Sequence, residues 1–327
     1  MNDQNNPLIS VVIPIKNGAP WLRKTIPALL NQTLAKSTEI IAIDSGSSDE
    51  TLSILSEYAI KVIQIPAESF NHGNTRNLGV QKARGKYVVM TVQDAEAANE
   101  KWLQNLLDGF GNDNVAGVCG LQIVAHDLDK NPMDWFRPVD TPGIKKYHFE
   151  NAAAFDALSN DEKKAICSWD DVNAMYRRDI LLEVPFQPVD FSEDAIWARD
   201  VLRKGYSIVY NGLAQVYHYH AESPDYTYRR SFAVYYHNYL YFGVKPVYYG
   251  REFIRVLKNI KLLLKESRIG WNAKWKWLQY NRQQRKAINK AISAFYKALA
   301  NGETALKQAH SIICERPPQA EQLTHKI

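Results

Sequence analysis

The sequence predicts an α/β fold with a mostly parallel sheet flanked by helices, followed by a C-terminal helical extension. Short apolar segments alternate with amphipathic helical ones through the first half of the chain, which is typical of parallel sheets with helices on both faces. The segment YVVMTV at 87–92 lacks polar alternation, as expected of a central strand covered on both faces. Beyond residue 225 the chain changes to long basic helical segments, which predict the extension.

The first predicted elements follow one another closely. Pro27 lies inside the first helical pattern and predicts a kink or a late start of that helix. Ser47 and Glu50 have the spacing of a capping box at the start of the second helix. The predicted strands lie at 10–14, 39–43, 61–65 and 87–92, and the predicted helices lie at 21–31, after residue 50, and at 75–83.

Beyond the central strand the pattern weakens and then returns. The segment 125–168 is rich in turn-forming residues and predicts a loop or flap, with a short helix near 161–166. The remaining predicted elements are helices at 99–110 and 191–205 and strands at 115–124, 170–175, 207–210 and 214–219.

Charge is unevenly distributed along the chain. The 327 residues have a formal net charge of +5, but 226–327 carry 19 Lys and Arg against 5 Asp and Glu, which leaves 1–225 with a net charge of −9. The sequence therefore divides near residue 225 into two parts suited to different partners. The acidic first part argues against nucleic acid as a partner.

Cysteine usage and hydropathy indicate the compartment. Cys119, Cys167 and Cys314 are far apart and lack disulfide-framework or metal-ligand spacing, so we expect a reducing cytosol. The first ten residues lack the basic start and apolar run of a signal peptide, and apolar runs long enough to cross a bilayer are missing. We therefore expect a cytoplasmic protein that does not span a membrane.

Two carboxylates follow predicted strands. Asp44 ends the second strand and Asp94 follows the fourth, and the carboxyl ends of parallel strands meet at the edge where open α/β sheets bind ligands. Arg76 stands near the start of the helix between them, a position suited to phosphate. The alternatives are an Asp94 that caps the next helix and an Arg76 that is a solvated helix residue.

Five motifs occur in order between about residues 8 and 220. They are SVVIPIKNG, IAIDSGSSDET, FNHGNTRNLGVQKARG, VVMTVQDA, and FSEDAIWARDVLRKGYSIVY followed by VYHYH. In this order they resemble the family 2 inverting glycosyltransferases, which have the Rossmann-like nucleotide-diphospho-sugar transferase (GT-A) fold. FNHGNTRNLG together with the QDA ending resembles the bacterial rhamnosyltransferases in particular. Residues 1–225 are thus expected to form a GT-A catalytic domain, and 226–327 a basic, aromatic-rich extension.

The resemblance implies a donor site at the strand ends. Asp44 would bind the pyrimidine base of the donor by hydrogen bonding, and Arg76 would face the nucleotide or its diphosphate. The implied nucleotide-sugar-binding residues are Pro14, Lys16, Asn17, Asp44, Arg76, Gln93 and Asp94.

The resemblance also implies a divalent metal. Asp94 corresponds to the surviving carboxylate of the family's DxD motif and would coordinate Mg²⁺ or Mn²⁺ bridging both phosphates. Val92 stands where the first aspartate commonly stands, so a second ligand has to come from elsewhere. His218 is favoured over His220 for that ligand, or for a hydrogen bond to phosphate. Otherwise the two histidines are exposed polar positions at a strand end.

Asp194 resembles the family's catalytic base, which takes the proton from the acceptor hydroxyl. The alternative is a helix-start acid stabilised by the macrodipole, and the neighbouring Glu193 is assigned to positioning of the acceptor or a loop. Aromatic faces and carboxylates suit sugar rings, although such tryptophans can equally belong to the core. The acceptor-side candidates are Trp135, Trp169, Asp170 and Asp171.

The implied reaction is a single displacement with inversion. L-rhamnose would move from dTDP-L-rhamnose to a hydroxyl of a polysaccharide or lipid-linked oligosaccharide of the cell envelope. Three alternatives stay open: a UDP-sugar donor, a nucleotide-sugar-binding protein without turnover, as Val92 suggests, and a nucleic-acid-binding protein, as the basic and aromatic tail suggests.

The tail at 226–327 mixes basic residues with interfacial aromatics. EFIRVLKNIKLLLKE at 252–266 places apolar residues at helical spacing among lysines and arginines, and Trp271, Trp275 and Trp277 follow. This mixture predicts helices that lie on an anionic membrane, here the inner face of the plasma membrane. The alternative is a helical extension packed on the catalytic domain with a solvated basic face.

Overall fold

The computed structural model describes residues 6–111, 114–135, 143–189, 191–248 and 252–314, except for the side chains of 252–255 and 258–259. The chain forms two compact units. Unit 1 lies within 1–123 and 140–218, and unit 2 within 124–139 and 219–327. The division into functional domains at residue 225 stays a prediction, and the last residues of the basic tail, 315–327, lie outside the described part.

Unit 1 contains all the strands described and eight short or medium helices. The strands are β1 Ile9–Ile15, β2 Thr38–Asp44, β3 Lys61–Gln64, β4 Tyr87–Thr91, β5 Glu96–Ala97, β6 Val115–Ile123, β7 Ile144–His148, β8 Asn173–Arg177 and β9 Ser207–Tyr217. The helices are α1 Ala19–Leu30, α2 Thr51–Ser56, α3 His72–Lys82, α4 Trp102–Asp108, α5 Ala152–Asp156, α6 Asn160–Ile166, α7 Arg178–Glu183 and α8 Glu193–Arg203.

The described strands form one nine-stranded sheet in the order β3-β2-β1-β4-β8-β6-β9-β5, with β7 also paired to β9. The first four strands in this order are parallel. β8 runs antiparallel to both β4 and β6, and β9 is parallel to β6. The predicted mostly parallel α/β sheet is therefore confirmed, and the carboxyl ends of β1, β2 and β4 lie at one edge.

Helix α3 packs closely on the middle of the sheet. A Cβ at Gly79 would lie 2.4 Å from Cγ1 of Val12 on β1, so a larger residue would force the helix away from the strand. Arg76 lies three residues earlier and therefore on the same helical face. The close approach at Gly79 thus carries Arg76 into the interior, where it is buried.

The predicted capping box of α2 was wrong, and so was one of the two alternatives predicted from Pro27, a late start of α1. Helix α1 begins at Ala19 and runs through Pro27, so the helix does not start late. Pro27 is exposed, and water can satisfy the carbonyl that its missing N–H leaves without a partner. The capping box at Ser47 and Glu50 does not form, because no side chain caps α2 and the Ser47 hydroxyl donates to Asp44 instead.

The segment predicted as a loop or flap, 125–168, contains more structure than expected. Besides the predicted helix, here α6, it contains β7 and α5, while 136–142 lies outside the described residues. β7 is short, mostly exposed and paired with β9. Because its side chains are exposed, its sequence lacks the apolar alternation by which a strand can be predicted. The two strands predicted at 207–210 and 214–219 are one strand, β9.

Unit 2 is helical, as predicted for the extension, and its described helices are α9 Pro224–Phe242, α10 Glu252–Lys265, α11 Trp271–Leu299 and α12 Glu303–Ile313. One apolar cluster includes Trp135, Leu263 and Trp277, and another includes Phe232 and Phe295. Helix α11 therefore contributes to both clusters. Within the described ranges, none of the helices combines the length and hydropathy that a membrane-spanning segment needs.

Candidate functional site

The loop after β2 fixes the carboxylate of Asp44. The side chain is buried, and its Oδ2 accepts hydrogen bonds from the backbone N–H groups of Gly46 and Ser47, both at 3.2 Å. The Ser47 hydroxyl donates to Oδ1. Gly46 has a φ of 82°, which a residue with a side chain adopts only under strain. In the contacts described, Oδ1 accepts one of the two hydrogen bonds that such an oxygen can accept.

The side chain of Gln93 joins the loops after β1 and β4. Its Oε1 accepts a hydrogen bond from the Lys16 N–H at 2.9 Å, and its Nε2 donates to the Lys16 carbonyl at 3.1 Å. The side chain of Lys16 itself is exposed. Gln93 therefore holds the backbone of the β1 loop, while the Lys16 ammonium extends towards solvent at the same sheet edge.

Asn17 connects the β1 loop to the β2 loop. Its backbone is left-handed, with a φ of 49°, a conformation that asparagine tolerates better than most residues. Its N–H donates to the Ser47 hydroxyl at 2.8 Å, and its Oδ1 accepts from the Ser48 N–H at 2.8 Å. Pro14 is half-buried in β1. The structure thus brings the predicted residues Pro14, Lys16, Asn17, Asp44 and Gln93 together at one edge.

Asp94 and His218, which the resemblance implies as metal ligands, lie close together at the same edge. Asp94 Oδ1 lies 3.6 Å from His218 Nε2, and the side chains are 9% and 13% exposed. His220 follows two residues later in the chain, within unit 2. A carboxylate oxygen and an imidazole nitrogen form a donor set that suits Mn²⁺. Val92 packs against the apolar core and supplies no ligand.

Gln122 on β6 was not singled out from the sequence. Its Oε1 lies 2.7 Å from His218 Nδ1, and its Nε2 donates to the carboxylate of Asp170. Asp170 in turn accepts the Val172 N–H at 2.9 Å. A line of hydrogen bonds therefore runs from the candidate metal ligands to one of the predicted acceptor-side acids. Nothing in the local pattern around Gln122 marks it, because its partners are brought near only by the strand order.

Arg76 belongs to a buried ionic cluster. Its Nε lies 3.0 Å from Asp171 Oδ2, and its Nη1 contacts the Glu193 carboxylate and lies 3.2 Å from His72 Nδ1. Burial lowers the pKa of Arg76, but Glu193 and Asp171 more than offset this, so the pKa is raised and the guanidinium is charged. Contact between Arg76 and the donor stays a prediction, since in this structure the guanidinium is occupied by carboxylates.

Asp171 is the most deeply buried acid of the cluster. The Tyr176 hydroxyl donates to it, and Trp169 Nε1 donates to the Tyr176 oxygen at 2.6 Å. Burial raises the pKa of Asp171 to about 7, against the opposing effect of Arg76. Asp171 therefore contacts the buried side chains of Arg76 and Tyr176, and its pKa lies near neutral pH.

Trp169 and Trp135 do not present a ring to a sugar in this structure. Each is 4% exposed. In unit 1, Trp169 packs against Trp197, with ring centroids 5.5 Å apart. In unit 2, Trp135 stacks on His126, and Arg268 lies over its ring. The alternative given for these tryptophans, that they belong to the core, therefore describes both.

Asp194 stands in the first turn of α8, directly after Glu193. The preceding residue, Ser192, has a left-handed φ of 68°. This strained conformation sets the direction in which the helix begins. Asp194 is partly buried. Burial raises the pKa of its carboxyl well above the usual range, and the charges of Glu193, Asp171 and Asp170 add to the effect. A carboxylate with a raised pKa is a stronger base than an ordinary aspartate.

A model of a known protein family matches more than half of the chain. Residues 10–184 match the family model described as glycosyl transferase family 2. The matched range contains Asp44, Arg76, Asp94 and Gln122, and it ends before Asp194 and His218.

Two curated relatives cover more than two thirds of the chain. The O-antigen chain rhamnosyltransferase RfbN of Salmonella typhimurium is 29% identical over 230 residues, which are 68% of this chain and 70% of the relative. The O-antigen chain rhamnosyltransferase WbaN of Salmonella anatum is 30% identical over 233 residues, which are 69% of this chain and 70% of the relative.

Among solved structures, a similar chain is the mannosyltransferase PcManGT from Pyrobaculum calidifontis, determined in complex with GDP-Man and Mn²⁺. The TM-score is 0.52 at 16% sequence identity, over 96% of this chain and 82% of the other. This likeness shows a shared fold and confirms the expected GT-A architecture.

Proposed function

Because this chain belongs to glycosyl transferase family 2, and is therefore a glycosyltransferase, we propose that it transfers L-rhamnose from dTDP-L-rhamnose to a hydroxyl of a polysaccharide or lipid-linked oligosaccharide. The names of the two Salmonella relatives support this sugar and this class of acceptor. The single observation that carries the proposal is the line of contacts from the Gln93 loop through Asp94 and His218 to the acids beside Asp194.

The loops after β1 and β2 bind the nucleotide. Asp44 accepts a hydrogen bond from the pyrimidine base, because its carboxylate is fixed by its own loop and retains acceptor capacity on Oδ1. The exposed ammonium of Lys16 attracts the diphosphate. Pro14 and Asn17 line the same pocket, with Asn17 held by Ser47 and Ser48.

Asp94 and His218 would hold a divalent cation beside the diphosphate. When bound, Mg²⁺ or Mn²⁺ neutralises the negative charge that develops on the leaving diphosphate. The ligand atoms of Asp94 and His218 lie 3.6 Å apart, so both could contact the same cation. Since Val92 replaces a second carboxylate, we expect the cation to bind weakly in the absence of donor.

Asp194 takes the proton from the acceptor hydroxyl as that oxygen attacks the anomeric carbon of the donor. The bond from that carbon to the diphosphate oxygen breaks with its electron pair, so that dTDP leaves and the configuration inverts. The raised pKa of Asp194 suits this role, because the carboxylate gains more from accepting a proton. Glu193, paired with Arg76, positions the start of α8.

Release of dTDP in the presence of a lipid-linked oligosaccharide tests the donor. With Mn²⁺ present, we expect kcat/KM for dTDP-L-rhamnose to exceed that for UDP-glucose and UDP-N-acetylglucosamine by about tenfold or more, a discrimination that one methyl or hydroxyl group commonly gives. Asp94→Ala should lower release to the background level. Equal use of a UDP-sugar would favour the alternative donor, and binding of donors without release would favour a protein without turnover.

Unit 2 exposes apolar side chains beside basic ones, and we propose that this surface docks on an anionic membrane. Trp271 is 74% and Trp275 is 64% exposed, one turn apart on α11. On α10, Leu257 and Leu264 are exposed as well, although Leu263 is buried. Lys261, Lys265 and Lys276 are exposed on the same two helices, and each such lysine adds about 1 kcal/mol near an anionic surface.

Co-sedimentation with vesicles of phosphatidylcholine and phosphatidylglycerol tests the membrane surface. We expect the double variant Trp271→Ser, Trp275→Ser to bind at least about tenfold more weakly than the native chain, a difference of about 1.4 kcal/mol. Leu213→Ser is the matched control, because Leu213 is an exposed apolar residue of β9 in unit 1. Equal binding by the double variant, or equal binding to pure phosphatidylcholine, would contradict the proposal.

A further inference from the structure

Gln122 lies between two groups of the proposed site and touches both. Its amide oxygen is 2.7 Å from His218 Nδ1, and its amide nitrogen donates to the Asp170 carboxylate. On the sheet, Gln122 is in register with Val216 of the parallel neighbour β9. His218 lies two residues beyond Val216, so Gln122 and His218 project from the same face.

The two partners of Gln122 determine the orientation of its side-chain amide. A carboxylate accepts hydrogen bonds, so the amide nitrogen must face Asp170 and the amide oxygen must face His218. An amide oxygen only accepts, and therefore Nδ1 of His218 must carry a proton. In the neutral imidazole this leaves the lone pair on Nε2, the atom that lies 3.6 Å from Asp94 Oδ1.

In that tautomer His218 Nε2 and Asp94 Oδ1 both offer lone pairs that a cation could share. A histidine of the opposite tautomer would present an N–H to Asp94, would satisfy the carboxylate with a hydrogen bond, and would lack the free lone pair that a metal needs. In the neutral imidazole, the direction of the Gln122 amide thus places the lone pair on the nitrogen that lies nearest to Asp94.

We propose that Gln122 is a positioning residue, which selects the Nδ1-protonated tautomer of His218 for binding a divalent cation and couples that choice to Asp170. The inference rests on the proposed function only in assigning the cation to Asp94 and His218. It adds a residue on β6 that the motifs do not contain. It also ties the metal side of the site to an acid on its acceptor side.

The full chain, without donor or acceptor, is the material for the test. The first measurement is the ¹⁵N spectrum of the histidine side chains, with the His218 signal assigned from its loss in His218→Gln. We expect Nδ1 to be protonated and Nε2 to be unprotonated in the neutral imidazole of the native chain. The second measurement is binding of Mn²⁺ alone, followed by electron paramagnetic resonance.

Gln122→Met should weaken Mn²⁺ binding by roughly 10–100-fold, the usual cost of removing the partner of a ligating histidine, and should shift His218 towards the other tautomer. Gln215→Met is the matched control, because Gln215 is a half-buried glutamine on neighbouring β9 whose side chain donates to the Gly212 carbonyl at 2.9 Å. The control should keep both the native tautomer and the native Mn²⁺ affinity.

Nε2 protonation of His218 in the native chain would overturn the inference without need of any variant, even if Gln122→Met failed to fold. Unchanged Mn²⁺ affinity and tautomer in Gln122→Met would also overturn it. The native tautomer together with weakened Mn²⁺ binding in Gln122→Met would support it. That result would stand even if dTDP-L-rhamnose were not a substrate, in which case the donor assignment alone would fail.

Discussion

Replacement of Asp194 by asparagine is expected to lower kcat by roughly 10²–10⁴-fold, the usual contribution of a general base. Asparagine keeps the size of the side chain but cannot take the proton of the acceptor hydroxyl. Release of dTDP at saturating donor and acceptor measures the effect. Asp156→Asn is the matched control, because Asp156 pairs with Arg203 at 2.9 Å on a partly exposed surface, and its kcat should change by less than about twofold.

The raised pKa of Asp194 predicts that Asp194→Asn loses activity without losing stability. A carboxyl group whose pKa is raised by folding favours the folded state below its unfolded pKa, and this contribution is lost as the pH rises through the folded pKa. Above the unfolded pKa the native carboxyl therefore costs stability that asparagine does not, and at neutral pH the melting temperature should stay the same or rise. Activity of the native enzyme should increase with pH as Asp194 loses its proton. A variant that melts earlier, or that keeps kcat within threefold of native, would argue against the assigned base.

Replacement of Arg76 by methionine is expected to lower the free energy of unfolding by roughly 3–5 kcal/mol, the cost of breaking a buried ion pair by removing one partner. Without the guanidinium, Asp171 and Glu193 remain buried with no cation between them. Urea denaturation followed by circular dichroism measures the change. Arg203→Met removes the surface pair with Asp156, where the arginine is 44% exposed, and should cost only about 0–1 kcal/mol.

The effect of Arg76→Met should depend on pH in a defined direction. The pKa of Asp171 is already about 7 in the native chain, and loss of Arg76 removes the charge that lowers it. Because a raised carboxyl pKa destabilises the folded state as the pH increases, the variant should be closer to native stability at pH 5 than at pH 8. A loss of stability that is independent of pH, or equal to that of Arg203→Met, would contradict the buried ionic cluster.

The sequence pattern predicted those strands and helices whose burial can be recognised from neighbouring residues. The apolar runs of β1, β2 and β4 and the helices between them were predicted because a buried parallel strand has to be apolar on both faces. Asp44 and Asp94 were found from the same pattern, since each marks the end of such a strand. The pairing of Asp94 with His218 came from the resemblance to the family, and the structure brings these two residues together.

The contacts that sequence reasoning missed depend on strand order. β8 lies between β4 and β6 and runs antiparallel to both, and no periodicity along the chain encodes that position. Asp171 directly precedes the strand segment that forms β8 and contacts Arg76, whereas Gln122 contacts His218 through the parallel pairing of β6 with β9. Arg76 was expected to face the donor because it stands near a helix start suited to phosphate and because the family resemblance implies that role. In the structure two buried carboxylates contact its guanidinium and make its burial favourable.

The side-chain amide of Gln93 hydrogen-bonds to both the N–H and the carbonyl of Lys16. Asp94 directly follows Gln93 in the chain. A nucleotide bound at the β1 loop and a cation bound at Asp94 would therefore both restrict the backbone of Gln93 and Asp94. The ligand that binds first would order this backbone segment, so the second ligand would lose less conformational entropy on binding. Donor and cation should accordingly bind as a cooperative pair, each raising the affinity of the other by the same factor.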